Sequence, residues 1–203
     1  MIDKQDGQTH SQRKHAAILK ASREEFLLNG FAGASMDRIA ERACVSKRTV
    51  YNHFPSKDAL FESSTLELWS RIKEAATLKF DPSLSLESQL SRIAHNSWEL
   101  YRQREFLELA RVVMAEFIRT PQQAAEAMEK MAQLEGGLET WLKDAVNNRA
   151  LKIEDIELAT TQFWGLMKAF SFWPKVFHLG EHDERRQDII AANVEMFLAR
   201  YRA

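Results

Sequence analysis

Apolar residues recur along this chain at intervals of three and four and nowhere in sustained alternation, a pattern that predicts helices and no sheet. After ten mostly polar residues expected to be disordered, Ser11 to Asn29 predicts a first helix that stops at Gly30. Ile18, Leu19, Ala21 and Phe26 fall on one broad face of it, Arg13, Lys20, Arg23 and Glu24 on the other. Ser35 is placed to cap a second helix, Met36 to Ala43, and Ser46 a third, Lys47 to Phe54. Pro55 ends the third helix. Ser56 caps a long fourth that begins at Lys57 and carries Phe61, Leu68 and Ile72 on one face.

Beyond the break at Asp81-Pro82-Ser83, Ser85 can cap a helix whose apolar positions are Leu90, Ile93, Ala94, Trp98 and Tyr101. Phe106, Leu109, Ala110, Val113, Met114 and Phe117 repeat the period until Thr120-Pro121. A helix from Pro121 to about Asn148 with a weak point at Gly136-Gly137, one from Asp155 to Phe177 kinked at Pro174, and one from Asp183 to Tyr201 complete an all-α chain of about nine helices. The run Phe163 to Phe177 is apolar nearly all round, so it needs cover on more than one side. A homodimer contact shared with Phe197, Leu198 and Tyr201 of the last helix would supply that cover through four helices; core packing is the plainer alternative.

Composition narrows the class. An apolar fraction of 45% with 28% charged residues is that of an ordinary globular protein, and the longest apolar runs are far too short to span a membrane. A single cysteine, Cys44, excludes an intrachain disulfide and suits the cytoplasm, and the polar N-terminal residues have no signal-peptide pattern. The net charge of −1 conceals an asymmetry: residues 1–61 hold 10 Lys+Arg against 7 Asp+Glu, the remainder 18 against 22. The basic end is the one that phosphate contact would require.

That end also holds the most informative stretch, Met36 to Phe61: a short helix, a tight break and a second helix rich in donors. These are the dimensions of a helix-turn-helix. A recognition helix enters the major groove by its N-terminal end, where Lys47 and Arg48 stand; arginine can pair with both acceptors of guanine. Thr49, Tyr51 and His53 suit phosphate oxygens, and Asn52 can read adenine. Val50 and Phe54, four apart, would face inward.

Phe26, Gly30-Phe31, Ser35, Ile39-Ala40, Ala43, Val45-Ser46, Thr49-Val50-Tyr51, His53-Phe54, Lys57 and Leu60 together resemble the N-terminal signature of TetR-type transcriptional regulators. The resemblance implies a DNA-binding head over residues 11–61 and a helical body over 62–203 that dimerises and binds a small inducer. It also implies that Lys57 touches phosphate, which completes a candidate DNA-binding set of Ser35, Ser46, Lys47, Arg48, Thr49, Tyr51, Asn52, His53 and Lys57. The segments around Leu107–Arg119 and Gln162–Phe177 resemble the C-terminal domains of AefR-like members. Cys44 departs from the pattern, standing where the family usually has glycine. It is either a redox sensor or, more ordinarily, a small half-buried residue.

In the body, Trp98, Tyr101, Phe106, Phe117, Trp141, Phe163, Met167 and Phe170 form the candidate ligand-binding set, lining an apolar cavity for a flat or greasy molecule. His95, Asn96, Gln162 and Lys168 are candidates for its polar walls. His178 and His182, with Glu181 and Asp183 nearby, have metal-like spacing, but Gly180 interrupts the helix that would align them, so no metal or other cofactor is expected. No P-loop, dinucleotide fingerprint or nucleophile elbow points to an enzyme. The expectation is a regulator, in all likeness to its family a repressor, that a small apolar inducer releases from a palindromic double-stranded DNA operator. A helical ligand-binding or adaptor protein that no longer reads DNA is the alternative.

Overall fold

The computed structural model describes residues 9–133, 136–180 and 182–203. Among them are eleven α-helices: α1 His10–Gly33, α2 Met36–Arg42, α3 Lys47–His53, α4 Lys57–Ala76, α5 Leu86–Leu100, α6 Arg104–Arg119, α7 Pro121–Ala132, α8 Leu138–Asn147, α9 Ile156–Ser171, α10 Trp173–Phe177 and α11 Arg186–Tyr201. A 3-10 turn at Asp183–Arg185 leads into α11. No strand occurs among the described residues, so the class is all-α.

The count exceeds nine because two predicted helices each divide. Gly136 and Gly137, with φ of 92° and 78°, separate α7 from α8. Phe172 breaks the other, and Pro174 opens α10, where a missing N–H leaves no helical bond unmade. The first helix begins earlier than predicted, since Thr9 and Gln12 form a reciprocal cap and His10 is already helical. Residues 1–8 of the expected disordered leader lie outside the described residues. Gly30 does interrupt α1: its φ of 65° and ψ of 171° break the helix at the predicted stop before a last turn at Phe31–Gly33.

Two compact units result. The first comprises residues up to Glu67 together with Arg111–Ala127; the second comprises Leu68–Ala110 and Met128–Ala203. Ile18, Phe26, Ile39, Val50, Phe54 and Leu60 are buried in the first unit. In the second, Trp98, Trp141, Phe163, Met167 and Phe197 belong to one continuous apolar core, and α11 packs on both α5 and α9. Buried Gln89 holds the loop before α5: its Nε2 donates to the carbonyls of Asp81 and Leu84, and its Oε1 accepts from the Asp81 N–H and from Trp141 Nε1.

The surface of α9, α10 and α11 departs from expectation. Phe197, Leu198 and Tyr201 are buried core residues of α11 and cannot belong to an exposed contact face. The apolar side chains that do reach the surface are Leu158, Phe170, Trp173, Phe177 (61% exposed), Leu179 (76%) and Met196. Helical period places 197, 198 and 201 on one side of α11 and 196 on the other; apolarity alone could not say which side faces the core.

Candidate nucleic-acid interface

The third helix is pinned from beneath and open above. Val50 and Phe54 are buried, whereas Lys47, Arg48, Tyr51 and Asn52 are exposed, Tyr51 by 50%. Ser46 fixes the start of α3. Its Oγ accepts from the Thr49 N–H at 3.1 Å and shares a 2.8 Å hydrogen bond with the Thr49 hydroxyl. Ser35 performs the same service for α2, accepting from the Asp37 N–H at 3.2 Å. The hydroxyls of both serines are thus engaged as helix caps.

His53 packs edge-on against His15 of α1, with ring centroids 5.7 Å apart, and His15 leans on Phe54 at 4.7 Å. Lys57 proves to be a clamp: its Nζ donates to the carbonyls of Ala32 (3.0 Å) and Ala34 (3.3 Å) and sits 4.7 Å above the Phe31 ring. It secures the last turn of α1 and the link to α2, with one ammonium hydrogen left over. Cys44 occupies the turn with φ 52° and is exposed, not half-buried as expected. The left-handed backbone is the reason a glycine suits this position.

Periodicity gave no hint of the group that fixes α2. The Glu25 side chain is fully buried, and its carboxylate accepts from Arg38 Nε at 2.6 Å, Arg42 Nε at 3.2 Å and the Ser35 N–H at 3.3 Å. Arg38 also donates to the Gly33 carbonyl at 2.5 Å. Burial pushes the Glu25 carboxyl up, but the hydrogen bonds from Arg38, Ser35 and Arg42 outweigh it and hold the group below its ordinary range. A second unforeseen contact joins the two helices on the exposed side, where Lys47 Nζ donates to Asp37 Oδ2 at 2.7 Å. A rigid helix pair with a donor-rich outer surface can seat in a groove of duplex DNA.

Residues 18–63 match the model of the bacterial regulatory proteins of the tetR family, and residues 88–203 match the AefR-like transcriptional repressor C-terminal domain. The chain belongs to the TetR family. It is similar to the HTH-type transcriptional regulator UidR of Escherichia coli strain K12, with 31% identity over 158 residues, 76% of either chain. A TetR family transcriptional regulator from Pseudomonas syringae pv. tomato superposes with a TM-score of 0.78 at 35% identity, covering 96% of this chain and 99% of that one. The flavonoid-responsive regulator FrrA superposes at 0.74 with 27% identity, covering 94% and 97%. The protein is accordingly a DNA-binding transcriptional regulator and not an enzyme, and the adaptor alternative falls away.

The candidate ligand-binding residues do not converge as one lining. Trp98, Trp141, Phe163 and Met167 share the core of the second unit. Tyr101 and Phe106 cluster with Phe172, at 5.1 Å from Phe172 to Tyr101 and 5.7 Å between the first two. Phe117 falls in the first unit, 6.3 Å from Phe61, and Phe170 lies on the surface against His182. Among the polar candidates, Asn96 is exposed and Gln162 accepts from the Tyr201 hydroxyl at 2.5 Å. His95 titrates below its ordinary value because burial and the Arg186 charge oppose its cation more than Glu99 favours it. Burial likewise lowers Lys168, which stands 6.0 Å above Trp164.

Two further features were missed. An open groove of about 620 Å³ between α5 and α11 is lined by Glu87, Ser91, Val194, Leu198 and Arg202, none of them in the candidate ligand-binding set. Asp183 gathers donors from three elements: Trp98 Nε1 at 2.6 Å, Lys175 Nζ at 2.9 Å and Arg102 Nε at 3.2 Å. Burial raises the Asp183 carboxyl, and these partners more than reverse it. His178 is left-handed at φ 55°, and Glu181 lies outside the described residues. No described helix is long and apolar enough to cross a membrane.

Proposed function

We propose that this TetR family protein is a homodimeric repressor with a reading head at residues 11–61 and a ligand-binding, dimerising body at 62–203. The observation that carries the reading is α3, with Val50 and Phe54 buried beneath and Lys47, Arg48, Tyr51 and Asn52 exposed above. Two such helices, one per subunit, meet a palindrome in successive major grooves about 34–36 Å apart or somewhat wider. Exposed Phe177, Leu179 and Met196 support a contact between subunits. The AefR-like repressor match supports repression. The flavonoid-responsive neighbour and the aromatic body support a flat, apolar inducer. The inducer acts by population shift: it prefers the body conformation whose heads are wrongly spaced, and operator affinity falls by that preference and no more.

Selection of operators from random duplex DNA with the full chain and with Tyr51→Ala tests the reading. Wild type enriches a palindrome, Tyr51→Ala loses it, and affinity falls steeply with salt. A wild-type protein that enriches nothing at low salt, after mass spectrometry has shown it ligand-free, sinks the proposal.

A further inference from the structure

We propose that Asp37 is a base-reading residue that works as a pair with Lys47 and selects a C·G base pair in each half-site. The inference rests on the operator reading above. Lys47 is the first residue of α3 and Asp37 the second of α2, and 2.7 Å separates Nζ from Oδ2. Both side chains are more than half exposed, so this contact sits on the outer surface of the helix pair and not in its core. When the N-terminal end of α3 enters the groove, Lys47 carries the carboxylate in with it.

A carboxylate at that depth is repelled by phosphates and must find a donor. Along the major-groove edge the bases offer two, cytosine N4 and adenine N6. Cytosine is the better match for this pair of side chains. Its guanine partner turns O6 and N7 to the same groove, where an ammonium finds two acceptors, while the carboxylate accepts from N4 of the same pair. On A·T the acceptors are divided between the two bases, and the thymine methyl presents an apolar surface to the charged pair. Asp37 and Lys47 thus hold, already assembled, a donor and an acceptor in the order that C·G requires.

Parallel operator selections with wild type, Asp37→Asn and Asp37→Ala test the idea, with thermal melts to show that the exposed substitutions leave the fold intact. Wild type should enrich cytosine at one symmetric position of each half-site. Asparagine pairs bidentately with adenine, so Asp37→Asn should move that position, and no other, toward adenine. Asp37→Ala should relax it, with discrimination falling roughly five- to a hundredfold. Retention of the wild-type base by both variants overturns the inference. So does a uniform change of affinity across all sequences, which would make Asp37 a tuner of charge alone, and so does a shifted position that is A·T in the wild type. A palindrome indifferent to Asp37 refutes this inference and leaves the operator reading standing, whereas the absence of any wild-type palindrome removes both.

Discussion

Replacing Glu25 by glutamine keeps the shape of a fully buried side chain and removes its charge. The carboxylate accepts from Arg38, Arg42 and the Ser35 N–H, and it is the only acidic group of α1 buried against α2. Breaking a fully buried ion pair costs about 3–5 kcal/mol. Here the side chains of Arg38 and Arg42 remain 47% and 35% exposed and rehydrate when released, so the expected loss is lower, about 2–3 kcal/mol. In a protein of this size that corresponds to a fall in Tm of roughly 4–12 °C. The pH dependence follows from the depressed carboxyl. Glu25 stabilises the fold fully above its unfolded value near 4.5 and loses that contribution as pH falls through the lower folded value. Circular-dichroism melts at fixed protein concentration should therefore show a gap between wild type and Glu25→Gln that is constant at neutral pH and closes under acid. Operator affinity should fall, because α2 loses its tie and with it the placement of Asp37 beside Lys47. A Glu25→Gln protein within about 0.5 kcal/mol of wild type at pH 7, or a gap that widens on acidification, would refute the reasoning.

Two further changes probe strain and burial. Cys44→Gly relieves a left-handed backbone at φ 52° and should raise stability by about 0.5–1 kcal/mol in chemical unfolding, with no change in operator preference; a destabilised variant would mean that the thiol makes a contact worth more than the strain. Asp183→Ala takes from Lys175, Trp98 and Arg102 the carboxylate they share and should cost roughly 3 kcal/mol in the same assay, since the Lys175 side chain is almost wholly buried. The Asp183 carboxyl is also depressed, so the difference is present above its ordinary value of 3.8 and disappears as pH falls through the folded value; a difference that persisted far below that range would show the loss to be one of packing.

The head was legible because its signals are local. Ser35, Ser46, Gly30 and Pro55 act within four residues of themselves, and each marks an observed boundary to within a residue or so. Val50 and Phe54 followed from spacing alone. Glu25 did not, because nothing near it in sequence distinguishes it from exposed Glu24; its partners lie 10 to 17 residues away. The clamp made by Lys57 was hidden for a related reason. A lysine at the start of a helix near a reading surface has the right charge for phosphate, but carbonyls 23 and 25 residues earlier in the chain already hold two of its three hydrogens.

The body shows where periodicity stops being informative. Helical spacing names the inward face of each helix, and it did so correctly for Leu90, Ile93, Trp98 and Tyr101 of α5 and its C-cap. It does not say which neighbour that face meets. Phe117 continues the period of Phe106 and Val113, yet α6 passes from one compact unit into the other along its length, and Phe117 ends beside Phe61 of the first. Phe170 is three residues from Met167 and fully apolar, yet it reaches the surface, and the polar residues beside it do not mark the outward face, since Ser171 is itself buried. A run that is apolar nearly all round blurs the contrast on which the inference of inside and outside depends. The same blurring hid the buried charge of Lys175 in a run that read as apolar nearly all round, although a lysine held there requires a carboxylate partner, and Asp183 stands eight residues on to supply it.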